Sequence, residues 1–189
     1  MISAIVLAAG EGRRFGRTKQ LEVVRGKPLV QHAVDAAAGA DVDEIVVVLG
    51  HDAERVGEAL AVPPNARVVV NRRYAEGQST SVAEGLQALD PSSEAAVVLL
   101  ADQPGISSEH IRSLVTVYQD EALEILRIRF RDGPGPALLA RSVWPEAIAL
   151  TGDTGARALF DADPDRARWL TCDEDAPVDV DVREDLERA

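Results

Sequence analysis

Residues 2–19 read ISAIVLAAGEGRRFGRTK, and the fold is decided there. The first part, Ile2–Ala8, is a short apolar run with β-branched residues that stops at Gly10. A run of this kind, bounded by glycine, predicts a strand buried on both faces. The continuation is polar, with glycines at 10, 12 and 16, the cations Arg13, Arg14, Arg17 and Lys19, and Glu11 as the opposing charge. Ligands of open α/β sheets bind beyond the carboxyl ends of parallel strands. A buried strand feeding a basic glycine loop therefore marks a ligand face.

Working outward, strand and helix patterns alternate to the end of the chain. Helices are predicted at 28–39, with Pro28 at the start and Gly39 past the end, at 52–60 with Asp52 as N-cap, and at 81–89. A further helix runs from Ser107 or Ser108 to Tyr118, its start supported by Glu109. Shorter helical segments are expected near 142–149, 154–160 and 183–188. Strands are predicted at Glu44–Leu49, 67–70, Ala95–Leu100, 123–131, Ala167–Thr171 and 178–180, with 137–140 as a hairpin partner after the turn at 132–136. This alternation predicts βαβ units and a mostly parallel sheet in a three-layer α/β/α sandwich. Ile2–Ala8 and Ala95–Leu100 should be its central strands, adjacent or nearly so.

The chain has 189 residues, 46% hydrophobic and 28% charged, which predicts one domain over 1–189 with a full core. No apolar run approaches the ~20 residues of a membrane-spanning helix, and the N-terminus lacks the basic start of a signal peptide. A single cysteine, Cys172, fits a reducing cytoplasmic setting. The net charge is −12, and from 161 to 189 eleven acidic residues face four basic ones. That balance argues against nucleic-acid wrapping and against anionic membranes. A small anionic substrate remains compatible, since local cations and a metal can hold it.

Four segments could carry chemistry. The loop at 8–19 has the makings of a polyphosphate cradle, with backbone N–H groups and cations together. Its spacing, G-x-G-x-x-x-G, is one residue longer than a dinucleotide fingerprint, and Gly50-His51 stands where the second strand would need an acid. The G-x-x-x-x-G-K-[ST] phosphate loop is absent. Asp102, in LLADQPG, follows the most apolar strand and suits a hard cation such as Mg²⁺. Asp179 and Asp181 alternate with valines in VDVDVRED (178–185), which would put both on one strand face. Gly77–Ser81 reads GQSTS and opens a helix, where free N–H groups can meet phosphate, ribose or a base edge. His32, His51 and His110 show no zinc spacing, Cys172 no activating pattern, and Trp144 and Trp169 read as core.

Taken in order, these segments resemble the MobA-like nucleotidyltransferases. LAAGEGRRFGRTK (7–19) resembles the family's LAAG-x-x-x-R-[MF]-G-x-x-K signature. GKPLV (26–30), NRRYAEGQSTSVAEGL (71–86), ADQP (101–104), GDTGAR (152–157) and DVDVREDL (179–186) resemble its later segments. LAAG, DQP and GDTGAR are closest to the molybdenum cofactor cytidylyltransferase branch. Two positions depart from the pattern: Gly135 replaces a histidine, and Val182-Arg183 replaces Thr-Pro. Both bear on the acceptor.

The resemblance implies a Rossmann-like nucleotidyltransferase fold. It also implies attack by the phosphate of a molybdopterin-type cofactor on the α-phosphorus of CTP, with loss of pyrophosphate. It makes Arg14 and Lys19 the catalytic cations. Ala8, Ala9, Gly10, Glu11, Gly12, Gly77, Ser81 and Asp102 join those two in holding the nucleotide. Asp102 and Asp181 would hold Mg²⁺ or Mn²⁺, with Asp179 as the alternative to Asp181. A molybdenum hydroxylase is the implied client. The rival readings are guanylyl transfer from GTP, nucleotidyl transfer to a sugar phosphate or another phosphorylated acceptor, and a non-catalytic nucleotide sensor or cofactor chaperone.

Overall fold

In the computed structural model, which describes residues 1–155 and 157–189, Ile2–Ala8 is strand β1 and every one of its residues is buried. A two-residue hairpin follows, β2 (Val23–Val24) and β3 (Lys27–Pro28), then α1 (Leu29–Ala38), β4 (Glu44–Leu49), α2 (Ala53–Ala59) and β5 (Ala66–Val70). The second half holds α3 (Gln78–Ala88), β6 (Ala95–Leu100), α4 (Ser108–Glu121), β7 (Ile125–Arg129) and β8 (Pro134–Ala140). It closes with α5 (Trp144–Ile148), α6 (Arg157–Ala162) and β9 (Ala167–Thr171).

Seven strands form one sheet in the order β5-β4-β1-β6-β8-β7-β9. All pairs are parallel except those of β8, which runs against β6 and β7. β1 lies between β4 and β6, so Ile5 faces Val46 on one side and Val98 on the other. A sequence apolar but for Ser3 suits this central place, because both faces of the strand are covered. Side chains alternate across the sheet. Ala4, Val6 and Ala8 pack with Val30, Val34, Ile111 and Leu114 of α1 and α4. Ile5 and Leu7 pack on the other face with Val82 and Leu86 of α3 and with Trp144 of α5. Each fully buried Val, Leu or Ile stabilises by about 1.5–3 kcal/mol, which makes the strand ends rigid platforms.

Several local expectations give way to longer-range contacts. Asp52 holds the N-cap position of α2 at left-handed φ 55°, but its side chain bonds no N–H of the helix; its carboxylate accepts instead from Thr18 at 2.7 Å and Arg55 at 2.8 Å. The N-terminal box of α4 is closed by Ser107 and His110, not by Glu109. α3 begins three residues earlier than its pattern suggests, directly after Gly77. The strand expected at 178–180 joins no sheet. Val180 is buried there with Phe15, Val24 and Leu29, and its N–H donates to the Asp102 carbonyl at 2.9 Å. The valine alternation thus serves a plug over the strand ends. The helix expected at 154–160 is α6, starting at Arg157; position 156 lies outside the described residues.

Candidate active site

The glycine loop leaves β1 with its carbonyls already engaged. The Gln20 amide donates to the carbonyls of Ala8 at 3.2 Å and Gly10 at 2.7 Å. The His51 N–H donates to that of Ala9 at 3.1 Å. Among the described residues, the N–H groups of Gly10, Glu11 and Gly12 have no protein acceptor. Unpaired N–H groups beside cations make an anion-binding concavity. Gly12 sits at φ +61°, where an added Cβ would lie 2.7 Å from the Arg17 carbonyl; no other residue fits the turn without strain. The four cations of the loop divide their work. Arg13 pairs with Glu11 and Arg17 with Glu22, while Arg14 and Lys19 turn towards the acidic side.

Lys19 opens a single 3-10 turn, Lys19–Leu21. Its ammonium spends all three donors across the chain: on Asp102 Oδ2 at 2.8 Å, the Val180 carbonyl at 2.9 Å and Asp181 Oδ1 at 3.1 Å. Burial pulls the Lys19 pKa down, but the charges and hydrogen bonds of Asp102 and Asp181 outweigh it and the net value is raised. The group stays a cation. Asp102 follows β6 and keeps its second oxygen, Oδ1, buried without a partner. Asp181 shares its other oxygen with Arg14 at 3.1 Å. Its backbone is held by Asp185, whose carboxylate accepts the N–H groups of Asp181 and Val182, both at 2.9 Å. Those two bonds lower the Asp185 pKa. Asp179 faces elsewhere: it accepts from Gln103 at 2.7 Å, and burial, aided by the charges of Asp102 and Asp181, raises its pKa.

The opposite wall is the start of α3. Gly77, at φ +119°, lies so close to Gly152 that an added Cβ would stand 2.3 Å from its carbonyl carbon. The Ser79 N–H donates to the Gly152 carbonyl at 3.2 Å. Buried Asn71 bolts this wall by donating to Ser81 Oγ at 3.0 Å and Thr80 Oγ1 at 2.8 Å.

Between the walls is a cleft of about 380 Å³, and the structure brings the expected residues to it together. Ala8, Ala9, Gly10, Glu11, Gly12, Arg14, Lys19, Gly77, Ser81, Asp102 and Asp181 all line it. Asp179 does not. Gln78, within the GQSTS segment, lines it too, as do Gln20, Tyr74 and Asp153, which sequence reasoning misses as site residues. The GDTGAR segment was the available signal for Asp153; Gln20 offered only its place beside Lys19. Elsewhere, His110, Cys172 and Glu174 bring ligand atoms within 4.8 Å of one another. The Ser107 N–H donates to His110 Nδ1 at 3.1 Å, which leaves the ring proton on Nε2, facing Glu174 at 3.5 Å. With Nδ1 accepting from Ser107, only Nε2 of the ring is directed at Glu174.

A sheet between helical layers, with this glycine loop after β1 and Asp102 after β6, is an architecture shared with solved nucleotidyltransferases. A nucleotidyl transferase from Methanothermobacter thermautotroptrophicus, Mth528, superposes with a TM-score of 0.83 at 25% identity, over 100% of this chain and 95% of its own. The chain belongs to the family of MobA-like NTP transferase domains, whose model matches residues 4–167. Rv0371c from Mycobacterium tuberculosis H37Rv is similar at 31% identity and a TM-score of 0.87, over 99% of this chain and 95% of its own. Its complex with manganese gives a TM-score of 0.83. A curated relative, the nicotine blue oxidoreductase of Paenarthrobacter nicotinovorans, is 30% identical over 99% of this chain and 95% of its own length. The chain also matches bifunctional GlmU proteins, covering 33% of the one from Cellvibrio japonicus. No described helix is long and apolar enough to cross a membrane.

Proposed function

We propose that residues 1–189 act as one cytoplasmic nucleotidyltransferase domain that moves CMP from CTP to a molybdopterin-type cofactor and releases pyrophosphate. The observation that carries this reading is the convergence of Lys19, Asp102 and Asp181 beside a loop of acceptor-less N–H groups. The N–H groups of Gly10–Gly12 and the Arg14 guanidinium would hold the triphosphate. Lys19 would stabilise charge developing at the α-phosphate, which is worth more in the transition state than in the ground state. The attacking phosphate is already an anion, so positioning and charge neutralisation suffice and no general base is required. Gly77 and Ser81 would border the base and ribose. LAAG, DQP and GDTGAR support CTP over GTP, and a molybdenum hydroxylase is the client this product would serve.

The acidic pair fits a divalent metal. Asp102 Oδ1 is a buried carboxylate oxygen with no partner, and hard oxygens suit Mg²⁺ or Mn²⁺. Asp102 and Asp181 would hold the ion, which when bound neutralises phosphate charge as a Lewis acid. Asp102 can do so while its Oδ2 keeps Lys19 in place.

The test is pyrophosphate release with each of the four NTPs, with and without molybdopterin. The reading expects release that needs both partners and is fastest with CTP. Faster release with GTP moves the chain to guanylyl transfer, and nucleotide binding without release makes it a sensor or chaperone. The full-length similarity to a protein named an oxidoreductase favours a second reading, a redox reaction on the same fold. Electron transfer from an added reductant to an added oxidised organic dye, dependent on the chain and with no pyrophosphate release, would select it.

A further inference from the structure

Two more cavities lie in series with the cleft. The nearer, about 220 Å³, shares Leu7, Gln78, Leu100 and Asp153 with it. Arg127 and Arg157 line that cavity and also the farther one, about 370 Å³, where Phe160 and Trp169 stand. The set leads from the glycine loop across to β7 and β9.

Arg127 and Arg129 sit two residues apart on β7 and so share a face of the strand. Arg127 donates to the Gly135 carbonyl at 3.0 Å. Its guanidinium carbon stands 5.6 Å from the Phe160 ring and 5.9 Å from Trp169. Arg129 lies 4.2 Å over Trp169. Among the described residues neither arginine forms an ion pair, although Arg131 and Arg157 beside them do. Burial, and then the neighbouring charge of Arg157, lower the Arg127 pKa. The nearby carboxylate of Asp161 opposes that shift but is paired with Arg157, so Arg127 is a partly buried cation with no ion-pair partner of its own, which is costly, while Arg129 is exposed. Gly135 lets its carbonyl reach Arg127 while its backbone packs against the core, since an added Cβ would lie 2.6 Å from the Phe130 ring.

We propose that Arg127 and Arg129 are the binding site for an anionic group of the acceptor, a carboxylate or phosphate separate from the phosphate that reacts. Guanidinium forks bind such groups bidentately, and stacking on Trp169 and Phe160 holds the forks in place beforehand. The site is reached from the cleft through the cavity both share, so the role of its anion rests on the cleft being the nucleotide site. The arginines select an acceptor with two anionic ends over one with a single phosphate, so within nucleotidyl transfer they favour another phosphorylated acceptor over molybdopterin, whose one phosphate is the one that reacts.

The test uses the full chain with Trp144→Phe, which leaves Trp169 as the reporting tryptophan. Its fluorescence is titrated with inorganic phosphate and, separately, with malonate, against sodium chloride at matched ionic strength. A saturable change with at least one anion and none with chloride is expected. Arg127→Met and Arg129→Met should each weaken it at least ~10-fold, the scale of losing one hydrogen bond to a charged group. The anion that saturates at the lower concentration identifies the acceptor's distal group. No saturation with either anion, or unchanged affinity in both arginine variants, overturns the site. If Trp144→Phe fails to fold, calorimetric titration of the unaltered chain and of Arg127→Met makes the same comparison. CTP binding to the unaltered chain is measured in parallel: its absence removes the nucleotide reading, while the anion titration still judges the arginines.

Discussion

Asp102 gives one oxygen to Lys19 and keeps the other, buried, without a partner. An unsatisfied buried oxygen costs free energy unless something completes it, and a divalent ion is the partner its chemistry suits. Asp102→Asn keeps the shape and loses the charge. It is expected to fold normally and to bind Mg²⁺ or Mn²⁺ at least ~10-fold more weakly, as a charged ligand becomes a neutral one. Calorimetric metal titration checks this, and unchanged affinity would put the ion elsewhere. Asp35 illustrates a structural charge. Burial pulls its pKa up, but hydrogen bonds from Lys27 and Gln31 pull it lower, and the net value lies below the usual 3.8. Its stabilisation is therefore complete above that usual value and is lost as pH falls through the lowered one. The group is well exposed, so solvent screening holds the contribution to at most about 1 kcal/mol. Asp35→Asn should lower the thermal midpoint slightly at pH 7, and the difference from the unaltered chain should shrink as pH falls below 3.8. At this scale the sequence identified Lys19 and Asp102 because each follows a recognisable segment. It missed Gln20, because its value is two hydrogen bonds to carbonyls of a folded loop. Trp169 packs against the core as its apolar character predicts, but the sequence could not show that its other side carries Arg129 at the edge of a cavity.

The elements were legible wherever local pattern and tertiary need agree. β1, β4 and β6 are apolar apart from Ser3 and Glu44 and are buried almost throughout. Where they disagree, reading failed. The Val-Asp alternation at 178–181 has strand periodicity, yet Val180 is a plug tied to Asp102 and Asp181 a partner of Lys19 162 positions away. No local period encodes such a contact. α3 shows how tightly the elements meet. Gly85 lies over β1, and an added Cβ would be 2.6 Å from Ile5 Cγ2 and 3.2 Å from Val48 Cγ2. Alanine favours helix by about 1 kcal/mol over glycine, while overpacking a filled core costs about 1–3 kcal/mol. Gly85→Ala is therefore expected to be net destabilising in denaturant unfolding. A stabilised variant would mean that α3 stands farther from the sheet.

At the scale of the whole molecule, the −12 charge coexists with a cleft that gathers Arg13, Arg14 and Lys19. The two lysines of the chain make the sharpest contrast. Lys27 pairs with Asp35 and lies outside the cleft, whereas Lys19 bridges Asp102 and Asp181 inside it. If the cleft performs nucleotidyl transfer, Lys19 acts chiefly on the transition state, and its removal should spare nucleotide binding while slowing the chemical step. The decisive measurement is steady-state pyrophosphate release beside calorimetric CTP affinity, for the unaltered chain, Lys19→Ala and Lys27→Ala. The account predicts that Lys19→Ala lowers kcat ~10²–10³-fold, the scale of losing one donor to a developing charge, with little change in CTP Kd, and that Lys27→Ala matches the unaltered chain. Equal losses in the two variants, or a Lys19→Ala chain that turns over normally, would contradict it.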